Sequence, residues 1–231
     1  MNERKTEMKK KKKIKVTKER LVIIAGIVLV SLVAVFSFLR HEKRIFSKRG
    51  NVPEMYIENP PEFDVQLLDI NDYSRPGIAL DEVCGIVVHY TANPGTTAQQ
   101  NRDYFQGLSQ SKVTKASSHF IIGLGGEIIQ CVPCNEVAYA SNGRNYDTVS
   151  IECCIPDETG KFNDATYDSL VHLVTWLMGR YYLTTEEVIR HYDVTGKNCP
   201  KYFVEHPLEW QQFLEDLNNY IRWNGVKRTT Q

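Results

Sequence analysis

The chain has 231 residues, enough for one full domain with appendages, and its 28 Lys/Arg balance 28 Asp/Glu. No nucleic-acid partner is expected. The balance is uneven along the chain, because residues 1–20 hold ten Lys/Arg against three Glu.

That basic tail, 1–20, precedes "LVIIAGIVLVSLVAVFSFL", an uncharged and proline-free run over residues 21–39. At about 1.5 Å per residue the run just crosses a hydrocarbon core. A cleaved signal peptide has a shorter apolar run and a small-residue cleavage site, which "SFLRHEKR" does not offer. A buried core helix is not normally uncharged all round beside a lysine block. The run is therefore expected to be a single transmembrane anchor held in the lipid bilayer. Basic residues flank it on both sides, and the larger excess lies before it. This predicts a single-pass cell-membrane protein with its N-terminus inside and its C-terminal domain extracellular. The lysine run itself reads as a solvated stretch that sets topology and meets anionic lipid heads.

Residues 40–71 read as an extracellular stalk, since "NVPEMYIENPPEFD" has three prolines and little periodicity. The folded domain is expected over 72–223, with a C-terminal tail over 224–231. Within the domain, strands and helices alternate. "CGIVVHY", Cys84 to Tyr90, is a short β-branched run that predicts a buried strand. Thr97 starts a helix, with Gln100 in the capping-box position and Phe105 and Leu108 facing inward. "SSHFIIGLGGEIIQCV" predicts two strands about a Gly125–Gly126 turn. "TVSIECCI", Thr148 to Ile155, is a further strand, on which Cys153 and Cys154 point to opposite faces. Tyr167, Leu170, Val171, Val174, Leu177, Met178 and Tyr181 recur at helical spacing. The last helix starts at Pro207, with Trp210, Phe213, Leu214, Leu217, Tyr220 and Ile221 on one face. The predicted fold class is α/β: a single domain with a central mixed sheet flanked by helices, preceded by one transmembrane helix.

Chemistry gathers in three places. His89 ends the first strand of the domain, where ligand sites of open sheets collect, although alone it reads as a structural histidine. His191 and Cys199 share the polar stretch "RHYDVTGKNCP", where Asp193, Gly196 and Pro200 argue for a loop. Two histidines and one cysteine make a three-ligand Zn²⁺ set with an open fourth position, the catalytic rather than the structural pattern. Cys131-x-x-Cys134 has no second pair with matching spacing, so a closed four-ligand site is not supported; a Cys131–Cys134 disulfide stays open. If Cys199 binds metal, the other five of the six cysteines cannot all pair. Glu152 sits among the apolar residues of its strand, either as an exposed edge carboxylate or as a dry acid/base group. Lys197, two positions before Cys199, reads either as a surface lysine or as a cation beside the metal. His119 is kept as a substrate or supporting contact. His172 reads as scaffold and His206 as surface.

Taken in order, "GIVVHYTANPG", "SSHFIIGLGGEIIQ", "NYDTVSIE" and "RHYDVTGKNCP" resemble the zinc-dependent N-acetylmuramoyl-L-alanine amidases of the phage-lysozyme and peptidoglycan-recognition type. The resemblance runs from about Ser74 to Phe213. It implies that His89, His191 and Cys199 hold Zn²⁺. It implies that Glu152 is the acid/base carboxylate and that Lys197 stabilises the tetrahedral intermediate. It further implies a peptidoglycan substrate, cut between N-acetylmuramic acid and the L-alanine of the stem peptide. Two departures stand out. Ser118 replaces a tyrosine that some members carry, and such members tend to lack the strand carboxylate. Ala140 replaces one residue of an aromatic-histidine pair, so Asn142, Arg144 and Asn145 are expected to line the groove instead. Two rivals remain. One is a non-catalytic peptidoglycan-binding receptor on the same fold, although such receptors often lose the cysteine. The other is a thiol hydrolase with Cys199 as nucleophile, for which the following proline is a poor setting.

Overall fold

The computed structural model describes residues 53–229. Two short strands come first, β1 (Met55–Tyr56) and β2 (Asp64–Val65), followed by the apolar strand β3 (Ile86–Tyr90). Helix α1 (Ala98–Ser111) starts as its sequence predicts. Thr97 Oγ1 accepts the Gln100 N–H at 3.1 Å, and Gln100 Oε1 accepts the Thr97 N–H at 2.9 Å. Strands β4 (Phe120–Ile122) and β5 (Ile128–Gln130) pair antiparallel about a glycine turn. Gly126 there has φ +82° and passes so close to Ala165 O that an added Cβ would lie 2.9 Å from it, so the turn needs a residue without a side chain.

After β6 (Val149–Cys153) come α2 (Asp164–Tyr181), β7 (Val188–Arg190), two short helices α3 (His191–Thr195) and α4 (Lys201–Glu205), then α5 (Pro207–Asn224) and β8 (Val226–Lys227). Pro207 opens α5, where its missing N–H costs nothing. The sheet order is β2-β5-β4-β6-β3-β7, parallel throughout except for the β4–β5 hairpin.

The alternation along the strands feeds two cores. Ile86, Val88, Phe120, Ile122, Val149 and Ile151 pack with Leu170, Leu173, Val174 and Leu177 of α2 and with Phe213 and Leu217 of α5. Ile121 and Ile129 pack on the other face with Ala98, Phe105 and Leu108 of α1. Cys153 and Cys154 fall into opposite cores, and no disulfide forms among the cysteines of the described residues. Each fully buried Leu, Ile or Phe contributes about 1.5–3 kcal/mol of transfer free energy, so this three-layer arrangement supplies a rigid platform.

The expected fold class needs correction. No helix among the described residues is long and apolar enough to cross a membrane. The anchor expected over 21–39, like the basic tail over 1–20, lies outside the described residues. What the described residues form is the α/β domain with its central mixed sheet.

Residues 53–71, expected within a stalk, are seated on the domain. Ile57 and Leu68 are buried, and β2 joins the main sheet beside β5. β1 pairs antiparallel with β8, beyond the expected domain end at 223. Arg228 anchors that pairing: its guanidinium lies 4.3 Å from the Tyr56 ring and 4.4 Å from the Tyr182 ring and donates to the carbonyls of Pro53 and Gly179. The pairing partners are too far apart in sequence for local pattern to reveal.

Candidate metal centre

Parallel pairing brings the carboxyl ends of β3, β6 and β7 to one edge of the sheet. His89 lies beside Glu152 in register, and Val88 pairs with Arg190, so His191 leaves β7 next to His89. The stretch expected as a loop contains the turn of helix α3, which corrects that expectation. Asp193 does not break the helix because its carboxylate starts it. Asp193 Oδ2 accepts the Arg190 N–H at 2.9 Å, and Oδ1 meets the Arg190 guanidinium at 2.7 Å. Gly196, at φ +78°, then turns the chain back. The Tyr192 N–H donates to the Cys199 carbonyl at 2.9 Å and fixes Cys199 against the start of α3.

One ligand atom each from His89, His191 and Cys199 lies within 4.8 Å of the other two. All three residues are buried, and the two rings meet edge to face at 4.7 Å. Cys199 Sγ is 3.7 Å from His89 Nδ1. His89 Nε2 is 3.1 Å from Ser141 Oγ, and His191 Nε2 is 3.0 Å from Asn142 Oδ1. His191 Nδ1 is buried and has no hydrogen-bond partner. Burial drives His89 well below its usual pKa, helped by His191 and Lys197, and lowers His191 with help from Lys197. Burial likewise pushes the Cys199 thiol up to about 12, with the Glu152 carboxyl as the second cause.

This donor set fits a divalent metal. Two imidazoles are held neutral, one with an orphaned buried nitrogen, and a thiol lies beside them whose charged form only a nearby cation would favour. Two nitrogens and one sulfur suit zinc and leave an open position for water.

Glu152 stands one strand away. Its Oε2 is buried without a partner, and burial lifts its pKa to about 8 against the pull of Lys197. Lys197 is exposed and lines the same cavity, a space of about 410 Å³ also bounded by Tyr90, Lys115, Tyr139, Asn142 and Asn145. A larger cavity of about 630 Å³ opens beside α2 and Pro60–Pro61, but the chemistry is not there. Its histidine, His172, already contacts the Asn59 carbonyl at 3.2 Å.

The remaining candidates divide. Asn142 and Asn145 line the cavity. Arg144 does not: its Nε donates to Asp147 at 2.7 Å. His119 is also corrected as a substrate contact. It is 1% exposed, its Nδ1 accepts the Ser150 N–H at 2.9 Å, and its Nε2 reaches the Glu136 carbonyl at 2.9 Å. Sequence reasoning missed Ser141 as the partner of His89 and Asn142 as the partner of His191. The Ser-Asn-Gly run signalled a polar turn, but nothing local said which side chains that turn would meet.

Comparison with known proteins gives one consistent result. The family profile described as N-acetylmuramoyl-L-alanine amidase matches residues 80–202. The N-acetylmuramoyl-L-alanine amidase CwlL of Bacillus licheniformis is 35% identical over 174 residues, covering 70% of this chain and 48% of that protein. BlyA of Bacillus subtilis (strain 168), also an N-acetylmuramoyl-L-alanine amidase, is 31% identical over 189 residues, covering 73% of this chain and 50% of that protein. The chain spans about half the length of the curated relatives it matches. Among solved structures, the catalytic domain of XlyA superposes with a TM-score of 0.58 at 25% identity, covering 68% of this chain and 99% of that one. PlyL shares the fold at a TM-score of 0.59 and 23% identity, covering 68% and 97%.

Proposed function

This chain belongs to the N-acetylmuramoyl-L-alanine amidase family, and from that premise we propose that its domain hydrolyses the amide joining N-acetylmuramic acid to the L-alanine of the peptidoglycan stem peptide. The observation that carries the reading is the convergence of His89, His191 and Cys199, with His191 Nδ1 buried and unpartnered, at the edge of a cavity that also holds Glu152 and Lys197.

His89 and His191, through Nδ1, and Cys199, through Sγ, would hold Zn²⁺. When bound, the ion supplies a Lewis acid for the scissile carbonyl and lowers the pKa of a water. Glu152 takes a proton from the attacking water and returns it to the alanine nitrogen as the C–N bond breaks. A carboxyl group held in a dry place with its pKa near neutrality suits both transfers. Lys197 places an ammonium at the cavity where negative charge gathers on the carbonyl oxygen. Tyr139, Lys115 and Asn145 offer the walls against which glycan and peptide lie. The products are a lactyl carboxylate and a stem peptide with a free L-alanine amine. Peptidoglycan lies outside the cytoplasm, and the domain is proposed to act there.

A thiol nucleophile is a poorer reading, because burial pushes Cys199 away from its reactive thiolate and the residue is 2% exposed. The test is incubation of the full chain with peptidoglycan, with and without a chelator, followed by end-group analysis for free L-alanine. Release that stops on chelation and returns with zinc is the expected result. Binding without release in any condition identifies the receptor alternative and overturns the enzyme reading. Chelator-insensitive release overturns the zinc reading.

A further inference from the structure

The loop Ala140–Asn145 meets both histidine rings at Nε2 and contributes no residue to the candidate ligand group. Its conformation is tightly determined. Asn145 Oδ1 accepts the N–H groups of both Ala140 and Ser141, closing the turn from within. Arg144 ties the far side to Asp147, and the Thr148 hydroxyl donates to the Arg144 carbonyl at 2.6 Å. Asn142 adopts φ +51°, a left-handed conformation that asparagine tolerates better than most residues. The result is that two adjacent side chains, Ser141 and Asn142, each face one histidine at hydrogen-bond distance.

We propose that Ser141 and Asn142 are positioning residues that hold His89 and His191 as Nε2–H tautomers, so that both Nδ1 lone pairs face Cys199. The inference rests on the metal reading above and assigns new roles within it. A carbonyl oxygen such as Asn142 Oδ1 can only accept, so the proton of His191 belongs on Nε2. The opposite arrangement, with the Asn142 amide donating, would leave a protonated Nδ1 buried with no acceptor, which is costly. Ser141 is 1% exposed, so no solvent replaces its hydroxyl as the partner of His89. Asn142 is exposed, and water can partly take over its task, so Ser141 carries the larger share. Because both residues sit on one cross-braced turn, a single local structure sets the orientation of two ligands drawn from different elements, strand β3 and helix α3.

Two measurements on the full chain test this, and neither needs substrate. In the metal-free protein labelled with ¹⁵N, long-range proton–nitrogen correlation reads which imidazole nitrogen is protonated. Nε2–H at both His89 and His191 is expected; Nδ1–H at either ring overturns the assignment for that ring. Zinc affinity is then measured by competition with a chromophoric chelator. Ser141→Ala and Asn142→Gly are each expected to weaken it by about 10–100-fold, with Ser141→Ala the larger. Ser141→Thr and Asn142→Asp, which keep a hydroxyl and an acceptor, restore most of the loss. Unchanged affinity in both Ser141→Ala and Asn142→Gly overturns the proposal. If a variant fails to fold, the wild-type tautomer result still decides it. If the wild-type chain takes up no zinc, the metal reading falls on its own, while the tautomers still report on the loop.

Discussion

His119 and His191 are buried alike, at 1% and 5% exposure, one just before β4 and the other just after β7 of the same sheet. Their surroundings differ in one respect that decides their chemistry. Around His119 every polar atom has a partner. Its ring runs from Ser150 to the Glu136 carbonyl, and the Glu136 carboxylate is held at both oxygens by Arg75 at 2.8 Å. Around His191 that pattern is broken. Its Nδ1 has no partner, and neither has Glu152 Oε2 nearby. Buried polar atoms are nearly always satisfied, so two orphans beside a buried thiol and a second imidazole point to a site shaped for a ligand rather than a faulty core. Burial of a titratable group is therefore no sign of function by itself. The sign is a lone pair that the fold has positioned and left free.

The sharpest way to break this contrast is to remove a member of the unsatisfied group. Cys199→Ser keeps shape and loses the soft ligand. We expect amide hydrolysis to fall by about 10³-fold or more, the scale of several kcal/mol that an ion contributes to the transition state, with zinc lost in direct metal analysis. Retained zinc and turnover would remove Cys199 from the centre. Glu152→Gln is the next largest. It should lower turnover by about 10²–10⁴-fold while metal content stays at the wild-type level, since Glu152 is proposed to move protons and not to bind the ion. Turnover and zinc lost together would instead place Glu152 among the ligands.

His119 supplies the opposite case, a histidine whose effect is on stability alone. Burial holds its pKa at about 4, below the ordinary histidine value of 6.5. The folded protein therefore resists protonating it while the unfolded chain does not. The associated stability is fully present above pH 6.5 and is lost as pH falls toward 4, a change of about 3 kcal/mol at about 1.4 kcal/mol per unit. His119→Gln should flatten that part of a stability–pH curve measured by chemical denaturation. An acid limb identical to that of the wild type would show that His119 is not what titrates there.

Much of this frame can be read from the chain, and the reasons for the exceptions are physical. The capping box at Thr97, the glycine turn between β4 and β5, the periodic face of α2 and the Pro207 start of α5 are local patterns, complete within one or two turns of chain. His89 lies in β3 and His191 follows β7, where parallel pairing places them side by side, and Cys199 returns to them through the turn at Gly196. Helix α3 is hidden because Asp193 reads as a breaker until Arg190 is seen to share it. Sequence separates His191, which shares a polar stretch with Lys197 and Cys199, from His119, but it hides the partners of both rings, Glu136 for His119 and Asn142 for His191, because each lies far away along the chain. Residues 53–71 resemble a free stalk because β1 finds its partner only at Val226–Lys227.

That distant pairing provides the smallest test of the same contrast. Arg228 is wholly committed: two aromatic faces enclose its guanidinium, its hydrogen bonds go to two main-chain carbonyls, and its own N–H donates to the Glu54 carbonyl at 2.9 Å. It belongs with His119 among the satisfied groups, far in character from the metal centre. Arg228→Ala removes a charged donor and leaves two part-buried carbonyls short of a partner, at a cost of about 2 kcal/mol. The denaturation midpoint should fall by that amount with the slope unchanged, because the same surface unfolds. Zinc affinity and the pH dependence of turnover should not move. A change in metal affinity in this variant would mean that the strand pairing at the chain ends and the strand edge bearing His89 are coupled, and that satisfied and unsatisfied groups are not as separate as their hydrogen bonds make them.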